Sequence, residues 1–258
     1  MSNRLPALFV SHGAPTILID ACPARDFLRQ LGKDIGKPKA IVSITAHWCT
    51  REPRVAANPL PGTIYDFGGF PDKLYSLKYS APGDPALAAR AVSLLKSSGF
   101  DSEADISRGF DHGTWIPLML MYPEADIPVI QLSVQPHSSP SHHYAMGRAI
   151  KSLREDSLLV IASGSATHNI QGFSGRRLDA EPLDYAHDFA EWLKDAVVKG
   201  RTEELLDYVQ RAPHAVKNHP TPEHFLPLFV AMGAGGAGHV LHESFTYGAV
   251  SMASFSWS

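Results

Sequence analysis

The chain has 258 residues, enough for one large domain with a sizeable core. Its 44% hydrophobic and 19% charged residues exclude a disordered or low-complexity protein. A net charge of -3 gives no basic excess for nucleic acid, and no apolar run approaches the ~20 residues of a membrane span.

The N-terminal stretch MSNRLPALFVSHG is too short in apolar residues for a signal peptide. Cys22 and Cys49 form no CxxC pair, which points to a reducing compartment and a cytoplasmic location. The unusual quantity is 13 histidines. With only two cysteines, that surplus favours a nitrogen/oxygen metal site over a sulfur one.

In chain order, LPALFVS (5–11) and AIVSITA (40–46) read as buried strands. The aromatic, Pro/Gly-rich piece 58–71 reads as an ordered loop. A helix is predicted over 84–98, stopped by Gly99, and another over 115–121. IPVIQLSV (127–134) is a strand, 141–155 a helix, SLLVIAS (157–163) a strand, and 183–200 a helix ending in Gly200. A last helix is predicted over 221–233, with Thr221 as N-cap and Pro222 at its first position. The final segment, 239–258, alternates around Gly248 and reads as a hairpin. Strand–helix alternation predicts a single α/β domain over 1–258. Its central sheet is expected to be mostly parallel but mixed, flanked by helices.

In an open α/β sheet, ligands bind beyond the carboxyl ends of the strands. His12 follows ALFVS, His47 follows IVSITA and His168 follows LLVIASGSAT. His112 lies in GFDHGTW, just before the predicted helix, and His224 in the first turn of the one that opens TPEHF. A single such histidine is usually a hydrogen-bonded rim residue. Several delivered to one edge share a desolvation cost that a common metal relieves. Gly13 and Pro15 after His12, and Gly164 before Ser165, are read as sharp turns. Asp111 is read either as an acceptor orienting His112 or as a charge at the helix start. His137, His142, His143, His187, His214, His219, His239 and His242 are taken as surface residues. Imidazole ligands without thiolate suit zinc, copper, iron or nickel. The residues leave open a two-histidine site completed by Glu223 and a three-histidine site through His224.

The motifs SHGAP, TAHW, IYDFGGFP, GFDHGTW, YPEADIPVIQLS, ASGSATHN and HPTPEHFLPL span nearly the whole chain in order. Together they resemble the 4,5-DOPA extradiol dioxygenase family. That family belongs to the class III extradiol ring-cleaving dioxygenases, related to the catalytic subunit of protocatechuate 4,5-dioxygenase. The Ser after Gly in ASGSATHN is a departure, since family members often have Asn there. The resemblance implies Fe(II) as the catalytic metal, with Zn(II) able to substitute for it, held by His12, His47 and His224. It leaves Glu223 turned outward. His168 would be an acid/base residue and His112 a second active-site histidine near substrate and oxygen. The implied partners are a catechol, DOPA-like or otherwise substituted, and O2, and the chain would be a monomer or homodimer. Tyr65, Phe67 and Phe70 could cover the ring, and Trp48 would pack beneath the site. A zinc hydrolase and a non-catalytic metal- or aromatic-binding protein are the competing classes. The chain offers no HExxH to support the first.

Overall fold

The computed structural model describes residues 4–258; the first three residues of the N-terminal stretch lie outside it. Among the described residues there are ten strands in chain order. They are β1 (Ala7–Ser11), β2 (Ala40–Cys49), β3 (Arg54–Ala56), β4 (Glu103–Asp105), β5 (Val129–Val134), β6 (Leu158–Gly164), β7 (Gly238–His242), β8 (Phe245–Thr246), β9 (Val250–Ser251) and β10 (Ser254–Trp257). Eight form one sheet in the order β4-β3-β5-β2-β6-β1-β10-β7, while β8 and β9 pair separately. The central strands β5, β2, β6 and β1 are mutually parallel. The C-terminal strands β10 and β7 add antiparallel pairs, so the sheet is mixed as the sequence predicts.

The central strands are apolar without interruption because both faces are covered. Ala7 and Phe9 of β1 point into one core, Leu8 and Val10 into the other. β6 alternates likewise, with Val160 on the first face and Leu159 and Ile161 on the second. Each fully buried Leu, Ile or Phe contributes about 1.5–3 kcal/mol by leaving water. Helices α1 (Pro23–Ile35) and α3 (His112–Met121) cover one face. On the other lie α2 (Pro85–Ser97), α4 (Pro140–Ile150) and the helices Asp184–Val198 and Leu226–Ala234. No helix among the described residues is long and apolar enough to cross a membrane.

Several boundaries differ from the sequence reading. The strand expected to stop before His47 continues to Cys49. Its pairing with β5 slips between Ile44 and Cys49, so His47 sits on a bulged stretch rather than past a strand end. The helix predicted over 115–121 starts at His112, because the Asp111 carboxylate caps it by accepting from Thr114 N–H. The helix predicted over 141–155 is α4 followed by a tighter turn, Lys151–Asp156. The last predicted helix starts at Leu226 rather than near Thr221. Phe225 and Leu226 both donate their backbone N–H to Pro222, closing a turn first, and Thr221 Oγ1 donates to Glu223 instead of capping. Helix α1 carried no expectation, although Ala24, Leu28 and Leu31 give it a buried stripe.

Candidate metal centre

Because β1, β2 and β6 run parallel, their carboxyl ends lie along one edge of the sheet. His12 follows β1 directly, and Gly13 turns the chain there in the left-handed region, φ +65°. The bulge in β2 presents His47. Gly164 at the end of β6 has another role than the expected sharp turn. A Cβ there would lie 2.1 Å from the His224 carbonyl oxygen, so glycine lets the 222–225 turn dock on the strand. Ser165 N–H then donates to that carbonyl. His112 opens α3, and His168 follows β6 by four residues.

All five sequence-predicted site residues line one cavity of about 200 Å³. That size suits a small aromatic ligand rather than a polymer. Phe67, Phe70, Ile170, Phe173, Tyr247 and Val250 supply its apolar walls. Of the loop aromatics, Tyr65 points away, its hydroxyl donating to Leu77. Trp48 is buried, with the Arg108 guanidinium over its ring.

The ligand atoms of His12, His47 and His224 all lie within 4.8 Å of one another. Nε2 of His47 is 3.1 Å from Nε2 of His12 and 3.3 Å from that of His224. The opposite ring nitrogens fix what these Nε2 atoms are. Ser163 Oγ gives its proton to the Gly113 carbonyl, so it can only accept from His12 Nδ1–H, at 2.9 Å. Glu223 Oε1 accepts from His224 Nδ1–H at 3.1 Å. Asp66 Oδ2 lies 3.3 Å from His47 Nδ1 and favours a proton there too. Neutral rings protonated on Nδ1 leave three Nε2 lone pairs facing one another. That arrangement repels unless a cation sits among them, so the donor set fits a metal suited to imidazole nitrogen.

The surroundings keep these rings neutral. Burial, then the charges of neighbouring histidines, holds His12 and His224 well below the usual imidazole range. Burial and His112 bring His47 down to about 3, against the opposing pull of Asp66. His168 stacks on His224 with ring centroids 3.5 Å apart and planes 7° apart. Its pKa is lowered by burial, with Glu223 opposing.

The structure corrects the readings of Glu223, His143 and His219 and decides between the two readings of Asp111. Glu223 is not turned outward, since it holds His224 Nδ1. Asp111 serves the helix start, capping α3 and taking hydrogen bonds from Thr45 and Arg108. The acid beside His112 is instead Asp66, whose Oδ1 accepts the His112 backbone N–H at 2.9 Å and lies 3.0 Å from Nδ1. His143 and His219 are buried rather than on the surface. His143 accepts from Gln135 N–H and donates to the Ser139 carbonyl, while His219 donates to the Ala166 carbonyl and stacks on Phe225. Asp66 and Ser163 were missed as functional residues. The lone carboxylate inside the aromatic IYDFGGFP loop was the available signal for Asp66. Ser163, in an apolar strand, gave none.

Known proteins carry the same architecture. A crystal structure of an uncharacterized protein from Escherichia coli K12 matches with a TM-score of 0.83 at 35% identity, over 99% of this chain and 100% of that one. A Beta vulgaris protein described as 4,5-DOPA dioxygenase extradiol is 47% identical over 263 residues, covering 99% of this chain and 97% of its own length. An Escherichia coli (strain K12) protein of the same description is 42% identical over 239 residues, covering 90% of this chain and 86% of its own. The family model described as the catalytic LigB subunit of aromatic ring-opening dioxygenase matches residues 6–256. The chain is a member of that family of extradiol ring-opening dioxygenases.

Proposed function

We propose that residues 1–258 form one catalytic domain that opens a catechol ring with O2 at an Fe(II) held by His12, His47 and His224. The substrate is DOPA-like or another substituted catechol, in line with the relatives' descriptions. The observation that carries this reading is the convergence of three Nε2 lone pairs beside an apolar slot. Bound there, Fe(II) would supply Lewis acidity toward the catechol oxygens and a site for O2. Zn(II) fits the same donors and is expected to occupy them without supporting oxygen chemistry.

The chain's own residues do the rest. Phe67, Phe70, Phe173 and Val250 hold the aromatic ring and exclude water. Two catechol oxygens face the three imidazoles. His168, kept neutral by burial, accepts the proton that the second catechol hydroxyl gives up. His112, on the same cavity, faces the oxygen side of the reaction, where its Nε2 lone pair can take up a proton and return it. Two cysteines without a disulfide suit a reducing, cytoplasmic setting.

Anaerobic loading with Fe(II), followed by a catechol panel and oxygen, should give oxygen uptake and yellow ring-opened products. Loaded protein that consumes no oxygen with any catechol would sink the proposal. Turnover with Zn(II) and no oxygen demand would favour a hydrolase instead.

A further inference from the structure

Asp66 lies on the 58–71 loop between two rings of the site, and its neighbour Phe67 forms part of the cavity wall. Its side chain is 25% exposed. Oδ1 accepts the His112 backbone N–H at 2.9 Å and sits 3.0 Å from His112 Nδ1. Oδ2 sits 3.3 Å from His47 Nδ1. Both ring contacts are angled, and His112 Nδ1 has no better-aligned partner. The two rings are themselves close, with centroids 3.8 Å apart.

We propose that Asp66 is a positioning residue whose single carboxylate sets the tautomers of His47 and His112 together, coupling the metal site to the neighbouring histidine. This rests on the three-histidine reading above. An anionic oxygen beside each Nδ1 favours Nδ1–H on both rings. His47 Nε2 is then a lone pair free for a metal, and His112 Nε2 is a lone pair as well. Only a side chain with two acceptor oxygens can do this for both rings. An Asn side chain of the same shape has one acceptor and one NH2. The His112 backbone N–H holds the acceptor end toward α3, so the NH2 would face His47 Nδ1. That donor would move the His47 proton to Nε2 and cost the metal a ligand. The predicted damage is therefore directional.

The first test reads tautomers in the metal-free wild type, with ring-nitrogen NMR on histidine-labelled protein at pH 8. Nδ1–H on both His47 and His112 is expected. Nε2–H on either overturns the proposal. The second measures Zn(II) affinity by competition with a chromophoric chelator. Asp66→Asn should weaken binding by roughly 10- to 100-fold, and Asp66→Glu, which keeps two oxygens, by clearly less. An Asn variant that binds Zn(II) like the wild type, or a Glu variant as weak as the Asn one, overturns the proposal. Wild-type protein that takes up no metal would instead defeat the three-histidine reading itself.

Discussion

The three converging rings and His168 share a cavity but have different surroundings. His12, His47 and His224 each have an oxygen at Nδ1, which turns the Nε2 lone pair inward. His168 has instead the flat face of His224 against it and lines the same slot. Replacing His168 by Ala should lower kcat/KM by roughly 10²- to 10⁴-fold, the usual contribution of a proton-transfer group. Metal content, measured on the same preparation, should stay near one per chain. Replacing His12, His47 or His224 by Ala should empty the site first, with activity following. Equal loss of metal and turnover in the His168 variant would make it a ligand. These four histidines and His112 were legible because each falls at or near an element end. Asp66 and Ser163 were not, because neither a lone acid in an irregular loop nor a serine in an apolar strand breaks any periodicity.

The elements hold the site through two local irregularities. One is the slip in β2 between Ile44 and Cys49, which swings His47 to the edge of the sheet. The run AIVSITAHWC carries no breaker at this point, so its sequence reads as a simple strand followed by a histidine. The other is the docking of the 222–225 turn on β6 at Gly164. Here a Cβ would meet backbone rather than a flexible side chain, so the turn would have to move. Gly164→Ala is therefore predicted to destabilise the fold by about 1–3 kcal/mol, the usual cost of overpacking. It should also displace His224 and weaken metal binding. Urea unfolding and a Zn(II) titration check the two effects, and unchanged metal affinity would show that the turn does not depend on this approach. The helix preceded by this turn was placed too early because Thr221 and Pro222 mimic a helix start.

One sheet with both faces covered makes the whole molecule a rigid frame for one edge, and that much followed from the alternation of apolar runs and helical patterns. The histidines away from the edge were harder to place. His143 is fully buried and bonded at both ring nitrogens to Ser139 and Gln135. Burial lowers its pKa from 6.5 to about 4, with the hydrogen bond to Ser139 opposing. The unfolded chain takes up this proton below 6.5, the folded chain only near 4. Stability from this group is thus complete above 6.5 and is lost as the pH falls through that window, by at most about 3 kcal/mol. His143→Gln should flatten the fall in urea midpoint between those pH values relative to the wild type, with both measured metal-free so that metal release does not enter and the site histidines contribute equally to each. A slope equal to the wild type's would show that His143 does not titrate this way.

The central claim is that His12, His47 and His224 converge on one metal, and a structure of the metal-loaded protein tests it most directly. Zinc can serve as the ion, since it suits the same donors. The account predicts one zinc per chain at this edge, with Nε2 of all three histidines at about 2.0–2.1 Å and Asp66 and Glu223 one atom layer behind on the Nδ1 side. A zinc bound between Asp66 and His112, or ligated by the Glu223 carboxylate in place of His224, would contradict it.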